Sequence, residues 1–146
     1  MKREIIINLL ASVLIFLFLY TFVSKFINYH EFKDSMLGQP LPTWMKPFLL
    51  YGLPAAEVVT ALLLAAPVTR RIGFVGSLVL MTGFTIYVGM GAAHLFNEVP
   101  CSCGGIFTHM SWTNHFYINI GFVLIALFGF LFSNAKISSK AKTRSN

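Results

Sequence analysis

The sequence predicts an all-α integral membrane protein, a bundle of four transmembrane helices with both termini in the cytoplasm. Of its 146 residues, 56% are hydrophobic and only 11% are charged, and its mean hydropathy is +0.73. These values lie outside the range of ordinary soluble domains. Four apolar stretches also reach the length of about 20 residues that a helix needs to cross about 30 Å of hydrocarbon.

The four spans are predicted at residues 5–23, 48–68, 72–93 and 116–132. Lys2 and Arg3 precede the first apolar run, as in a signal peptide, but the run is too long and no small-residue cleavage pattern follows, so we expect a retained helix. A tight turn at Thr69-Arg70-Arg71 is predicted between the second and third spans.

The connection between the first two spans, residues 25–47, contains apolar residues at helical spacing. Phe26, Tyr29, Phe32 and Met36 predict one apolar face of a short helix at the membrane interface. This segment is either an interfacial anchor or a cover over the later connection. Residues 1–134 thus form one membrane domain, followed by a basic cytoplasmic tail, residues 135–146, that is predicted to be disordered.

The positive charges predict the orientation, because cytoplasmic flanks carry the excess of lysine and arginine. Eight of the eleven fall on the side of the N-terminus: Lys2, Arg3, Arg70, Arg71, Lys136, Lys140, Lys142 and Arg144. Residues 94–115 contain none and are predicted on the exterior, the periplasmic face of a bacterial cytoplasmic membrane. Anionic lipid headgroups account for the net charge of +6, and no nucleic-acid module is present.

The only two cysteines, Cys101 and Cys103, lie in that exterior connection with one serine between them. At this spacing a disulfide is a small strained ring, and strained disulfides are the labile ones. Closing so short a loop contributes little stability, so a redox pair is favoured over a structural crosslink. Two unremarkable thiols are the alternative.

Glu57 is the only charged residue inside any predicted span. Ionisable residues in membrane helices usually face the bundle interior or a wet cavity. The carboxyl group is either a proton acceptor or polar ligand for a quinone headgroup, or a hydrogen-bonded group that fixes helix packing.

Trp112, His115 and Asn119 share one face at the start of the fourth span, directly after the cysteines. A histidine near a cysteine lowers the thiol pKa or carries its proton, and an aromatic ring with an amide suits a ring-shaped acceptor. Tyr87 in the third span is predicted to join the same cavity. Interfacial anchoring is the alternative for Trp112 and Tyr87.

Two other groups of residues have simpler interpretations. Glycines such as Gly73, Gly83, Gly121 and Gly129 are predicted to allow close helix packing. His94, His109, His115 and Met110 with the cysteines form an alternative copper or zinc site, but their spacing matches no metal motif and no metal is expected.

Six motifs resemble the MauE branch of the DoxX-like family of redox-associated membrane proteins, over nearly the whole chain outside the tail. They are Ser24-Lys25, Pro54-x-x-Glu57, Arg70-Arg71-Ile72-Gly73, Phe84-Thr85-x-Tyr87, Pro100-Cys101-Ser102-Cys103-Gly104-Gly105 and Trp112-x-x-His115-x-x-x-Asn119. The resemblance implies a four-helix architecture and a role in making disulfides in an exported protein. It also implies that Cys101 and Cys103 are the redox pair and Glu57 the intramembrane acid.

Taken together, these features predict a membrane thiol–disulfide redox protein, and a thiol–disulfide oxidoreductase is the enzyme class they suggest. Cys101, Cys103 and His115 are the predicted catalytic residues, and Glu57, Tyr87, Trp112 and Asn119 the predicted contacts of a quinone. The expected partner is an exported thioredoxin-like protein or a disulfide-containing substrate. The alternatives are a non-catalytic assembly factor for a neighbouring redox enzyme and a copper- or zinc-handling protein.

Overall fold

The computed structural model describes residues 2–93, 95 and 111–144, and these ranges contain helices and no strand. The helices are α1 (Lys2–Ile27), α2 (Tyr29–Leu37), α3 (Met45–Ala65), α4 (Arg70–Ala92) and α5 (Trp112–Arg144). Cys101 and Cys103 lie outside the described residues, as do His94, His109 and Met110 of the alternative metal site.

The four long helices pack in a ring in which each contacts two neighbours. α1 contacts α3, α3 contacts α4, α4 contacts α5, and α5 returns to α1, whereas contacts across the diagonal are few. Their shared core is apolar and takes side chains from every long helix, among them Leu14, Phe18, Leu64, Phe74 and Ala126. The result is a four-helix bundle.

All four long helices are long and apolar enough to cross a membrane, over Lys2–Ile27, Met45–Ala65, Arg70–Ala92 and Thr113–Asn134. Only 22% to 28% of each apolar window is buried inside the protein. Large apolar side chains such as Phe16, Phe48 and Val79 therefore face outward, where lipid covers them. The predicted all-α fold with four membrane spans is confirmed, and the cytoplasmic location of the termini stays a prediction.

The turn between α3 and α4 lies earlier in the chain than predicted. α3 ends at Ala65, and Ala66 has extended backbone angles, φ −82° and ψ 121°. Pro67 explains this, because the ring of a proline disfavours helical backbone at the residue before it. Arg70 and Arg71, predicted in the turn, instead form the first turn of α4.

The predicted short helix between the first two spans is present as α2. Its Phe32 and Met36 are buried against Leu50 of α3. The hydroxyl groups of Tyr29 and Tyr51 lie 3.4 Å apart and join α2 to α3 at the surface. This hydrogen bond is the main reason why the pKa of Tyr29 is raised.

At the other end of the chain, α5 continues to Arg144, although the sequence predicts a disordered tail from residue 135. No proline or glycine follows Gly129, and Ala and Lys are favourable helix residues. The sequence after the apolar run therefore contains no proline or glycine that would end the helix there.

Of the four glycines named from the sequence, two allow close helix contacts and two do not. A Cβ atom at Gly73 would lie 2.6 Å from the backbone nitrogen of Leu64, so α4 approaches the backbone of α3 there. Gly129 likewise makes room for the ring of Phe74 between α4 and α5. At Gly83 and Gly121 an added Cβ would meet nothing within 4 Å, so the predicted packing role is wrong for these two.

Candidate functional site

A buried ion pair joins α1 to α3. Lys25 Nζ donates a hydrogen bond to Glu57 Oε1 at 2.6 Å. The two side chains are 3% and 1% exposed. Desolvating two charges costs several kcal/mol each, so such a pair persists only when each ion compensates the other.

The other helices complete the surroundings of the lysine. Lys25 Nζ lies 5.8 Å from the ring centroid of Phe32 in α2 and 6.0 Å from that of Phe84 in α4. Both distances are within the range of cation–π attraction. One ammonium group of α1 thus contacts α2, α3 and α4.

A cavity of about 30 Å³ adjoins this ion pair and is lined by all four spans. Its polar residues are Thr21 and Lys25 of α1, Glu57 of α3, and His115 and Asn119 of α5. His115 and Asn119 are buried, with exposures of 3% and 4%. We call this space the polar cavity.

Two polar atoms in the polar cavity have no hydrogen-bond partner within the described residues, Glu57 Oε2 and Asn119 Nδ2. One is an acceptor and the other a donor, and buried groups of this kind are usually satisfied. The cavity exceeds the space of roughly 10 to 15 Å³ that one water requires. The cavity therefore has room for a water beside the carboxylate and the amide.

Local sequence signals set the positions of these side chains. The Ser111 hydroxyl accepts a hydrogen bond from the Asn114 backbone N–H at 3.3 Å, and the Ser111 carbonyl accepts one from that of His115 at 3.1 Å. Ser111 therefore caps α5 and puts His115 in the first turn. Asn119 follows one turn later on the same face.

In α3, Pro54 precedes Glu57 by three residues. Proline has no backbone N–H, so it leaves the carbonyl of Leu50 without its helical donor. The helix nevertheless continues to Ala65 and brings Glu57 towards the last turn of α1.

A second, larger cavity of about 290 Å³ lies between α2, α3 and α4. Its walls are almost entirely apolar and include Leu49, Leu53 and Leu80, with Gln39 and Tyr87 as its polar residues. Phe84 lines both this space, which we call the apolar cavity, and the polar cavity.

The structure brings some of the residues singled out by sequence together and separates others. Glu57, His115 and Asn119 line one cavity, whereas Tyr87 lines the neighbouring one. Trp112 is the first residue of α5, and its side chain is outside the part of the chain that the structure describes. Their functional roles stay predictions.

The sequence analysis included Lys25 in a motif of the family resemblance but placed it in the exterior connection and assigned it no role. The predicted first span ended at residue 23, whereas α1 continues to Ile27 and buries Lys25 in its last turn. The need of Glu57 for a partner was the available signal, since lone intramembrane charges are costly.

Within residues 2–93, 95 and 111–144, no group of three or more His, Cys, Asp or Glu side chains is arranged to hold a metal ion. The alternative metal site depends mainly on residues outside these ranges, so it stays a prediction.

Comparison with known proteins identifies one family. The family model described as methylamine utilisation protein MauE matches residues 3–132. None of the curated proteins or solved structures compared with the chain matches it. The matched range includes all but the terminal one or two residues of the four spans and every described residue that lines the two cavities.

Proposed function

Because this chain belongs to the MauE family, we propose that it is a membrane thiol–disulfide redox protein linked to methylamine utilisation. It exchanges electrons between an exported thioredoxin-like partner or disulfide-containing substrate and a quinone, through Cys101 and Cys103. The cysteine loop faces the exterior of a bacterial cytoplasmic membrane, where disulfides persist.

The observation that supports the proposal most is the polar cavity. The segment with both cysteines connects α4 to α5, and the first turns of α5 contribute His115 and Asn119 to the space that holds the Lys25–Glu57 pair. Buried titratable groups near a cleft are typical of functional sites. A purely structural bundle has no need of an acid, a base, an amide and an ammonium group in one cavity.

The reaction is balanced by two electrons and two protons. A thiolate of the partner attacks the Cys101–Cys103 disulfide, forms a mixed disulfide with one cysteine and releases the other as a thiolate. A second thiolate of the partner then attacks the partner's sulfur in that bond, which forms the partner disulfide and leaves Cys101 and Cys103 reduced, with two protons passing from the partner's thiols to theirs. The two thiols then give two electrons and two protons to a quinone, which becomes a quinol, and the Cys101–Cys103 bond re-forms. The same steps in reverse reduce the partner.

His115 is the residue that we assign to proton transfer at the thiols. An imidazole has one nitrogen that accepts a proton and one that donates it, and the thiolate is the reactive form of cysteine. We assign Glu57 and Asn119, which line the same cavity as His115, to hydrogen-bond a water in that cavity. Lys25 balances the carboxylate charge, so that the cavity stays compatible with its apolar surroundings.

The size of the polar cavity refines the expected contacts of the carrier. About 30 Å³ accommodates one or two waters but no ring. Glu57 and Asn119 are therefore proposed to handle protons rather than to bind the quinone directly.

The proposal is tested by trapping the thiols of Cys101 and Cys103 in intact membranes, with and without added quinone and after respiratory inhibition. We expect the pair to shift between thiol and disulfide with the state of the quinone pool. A pair that stays in one state under all conditions contradicts the relay.

Two variants complete the test. Cys101→Ser/Cys103→Ser abolishes complementation if the pair is catalytic, whereas a non-catalytic assembly factor keeps it. His115→Gln should leave the disulfide able to form but slow its formation and change its pH dependence. Metal content that falls with the double serine variant would favour the metal-handling alternative.

A further inference from the structure

We propose that the apolar cavity between α2, α3 and α4 is the binding site for the ring of a membrane-soluble quinone. This inference rests on the proposed function, because it assigns a place to the carrier of that relay. It concerns a different space from the polar cavity, with Phe84 as the shared wall.

The position of the cavity determines the class of occupant. Val79 lines the cavity and is 67% exposed on the outer surface of a membrane-spanning helix. A ligand therefore reaches the cavity from the hydrocarbon phase rather than from water. The described residues of its walls include no charged side chain, so we expect an uncharged ligand.

The size and the polar residues select a ring over an acyl chain. At about 290 Å³ the cavity lies near the lower limit of small-molecule sites, about 300 to 1,000 Å³, and accommodates a substituted ring while a tail stays in the bilayer. The Tyr87 hydroxyl and the Gln39 amide lie in the lining, and both groups include donors for ring carbonyl oxygens. An acyl chain has no oxygen that could accept a hydrogen bond from either group.

Gly83 leaves the space open on the α4 side. A Cβ atom at this position would meet nothing within 4 Å, although Gly83 lies between the lining residues Leu80 and Phe84. Glycine inside a helix costs stability relative to alanine. Its absent side chain leaves room for a ligand.

Phe84 links the cavity to the proton site. Its ring lies 6.0 Å from Lys25 Nζ and also forms part of the apolar cavity wall. A quinone in this cavity is one aromatic side chain away from the Lys25–Glu57 pair. The arrangement keeps the carrier and the polar cavity adjacent without merging them.

The test uses the whole protein in phospholipid nanodiscs and an azido-benzoquinone as photoreactive probe, with decyl-benzoquinone as competitor. Mass spectrometry locates the label. We expect it on residues 79–87 and expect decyl-benzoquinone to displace it. Gly83→Leu, which fills the cavity, should lower labelling about tenfold, a change of about 1.4 kcal/mol.

Two further variants are controls for Gly83→Leu, and a third tests the site independently. Gly121→Leu introduces the same side chain at another helical glycine with open space and should label like wild type, as should Gly83→Ala. Tyr87→Phe keeps the shape but removes a donor, and we expect about threefold to tenfold weaker competition by decyl-benzoquinone. Because this variant removes only a hydroxyl, it tests the site even if Gly83→Leu fails to fold.

Label that is equal in Gly83→Leu and wild type, or that a long-chain alcohol displaces as well as the quinone, overturns the proposal. Thiol trapping separates the two hypotheses. If the cysteines respond to quinone while residues 79–87 stay unlabelled, the relay stands and this site fails. If the cavity is labelled but the cysteines never respond, the site stands and the relay fails.

Discussion

Lys25 and Glu57 illustrate how a single pair of residues connects stability with function. Both side chains are almost completely buried, and among the described residues they are the acid and the ammonium group that line the polar cavity. Breaking a buried pair leaves one charge without its counter-ion, whereas replacing both residues by apolar ones of similar size is often neutral or stabilising. Structural and functional contributions can therefore be measured separately.

We expect Glu57→Leu or Lys25→Met alone to lower the free energy of unfolding by about 3 to 5 kcal/mol. The double variant Lys25→Met/Glu57→Leu should recover most of that loss. If Glu57 also handles protons, the double variant stays folded but exchanges disulfides slowly. Thermal unfolding in detergent and thiol trapping measure the two effects.

Lys33→Met is the control, because Lys33 is an exposed residue of α2 and surface charges contribute little. A double variant with both wild-type stability and wild-type exchange would show that the pair has no functional role. A loss in the double variant that equals the sum of the two single losses would show that the charges are not coupled.

At the level of the helices, the sequence predicted what depends on local composition and missed what depends on a neighbour. The four spans follow from hydropathy, and α2 from its apolar spacing. The end of α3 was placed three residues too late because hydropathy alone does not register Pro67. The partner of Glu57 comes from another helix, and a single sequence does not show which helices pack against each other.

Gly73 provides a prediction about the contact between α3 and α4. Gly73→Ala should lower the free energy of unfolding by about 1 to 3 kcal/mol. Its Cβ would lie 2.6 Å from the Leu64 backbone nitrogen, so the backbone of α3 or α4 would have to move to relieve the overlap. Thermal unfolding of the purified variant in detergent measures the loss.

The matched control is Gly52→Ala in α3, where the added Cβ meets nothing within 4 Å. That variant should be neutral, or more stable by about 0.5 to 1 kcal/mol, because alanine favours a helix. If the two alanine variants unfold at the same temperature, the close approach of α3 and α4 is not as tight as the geometry indicates.

For the whole molecule, the number of spans and the positions of the charges lead to one orientation. With four spans, both termini lie on one side and the connection between α4 and α5 on the other. Arg70 and Arg71 lie on the side of the termini and also have packing roles. Arg70 Nη1 donates to Asn8 Oδ1 at 2.5 Å, and the Arg71 guanidinium lies 5.8 Å from the ring centroid of Phe130.

We therefore expect a fluorescent protein fused to the C-terminus to fluoresce in the cytoplasm and alkaline phosphatase fused there to be inactive. Phosphatase inserted between Gly104 and Gly105 should be active, because this enzyme requires the disulfides that form outside. The opposite pattern would place the cysteine loop in the reducing cytoplasm. An electron relay to an exported partner would then be impossible, so the orientation tests the proposed function as well as the topology.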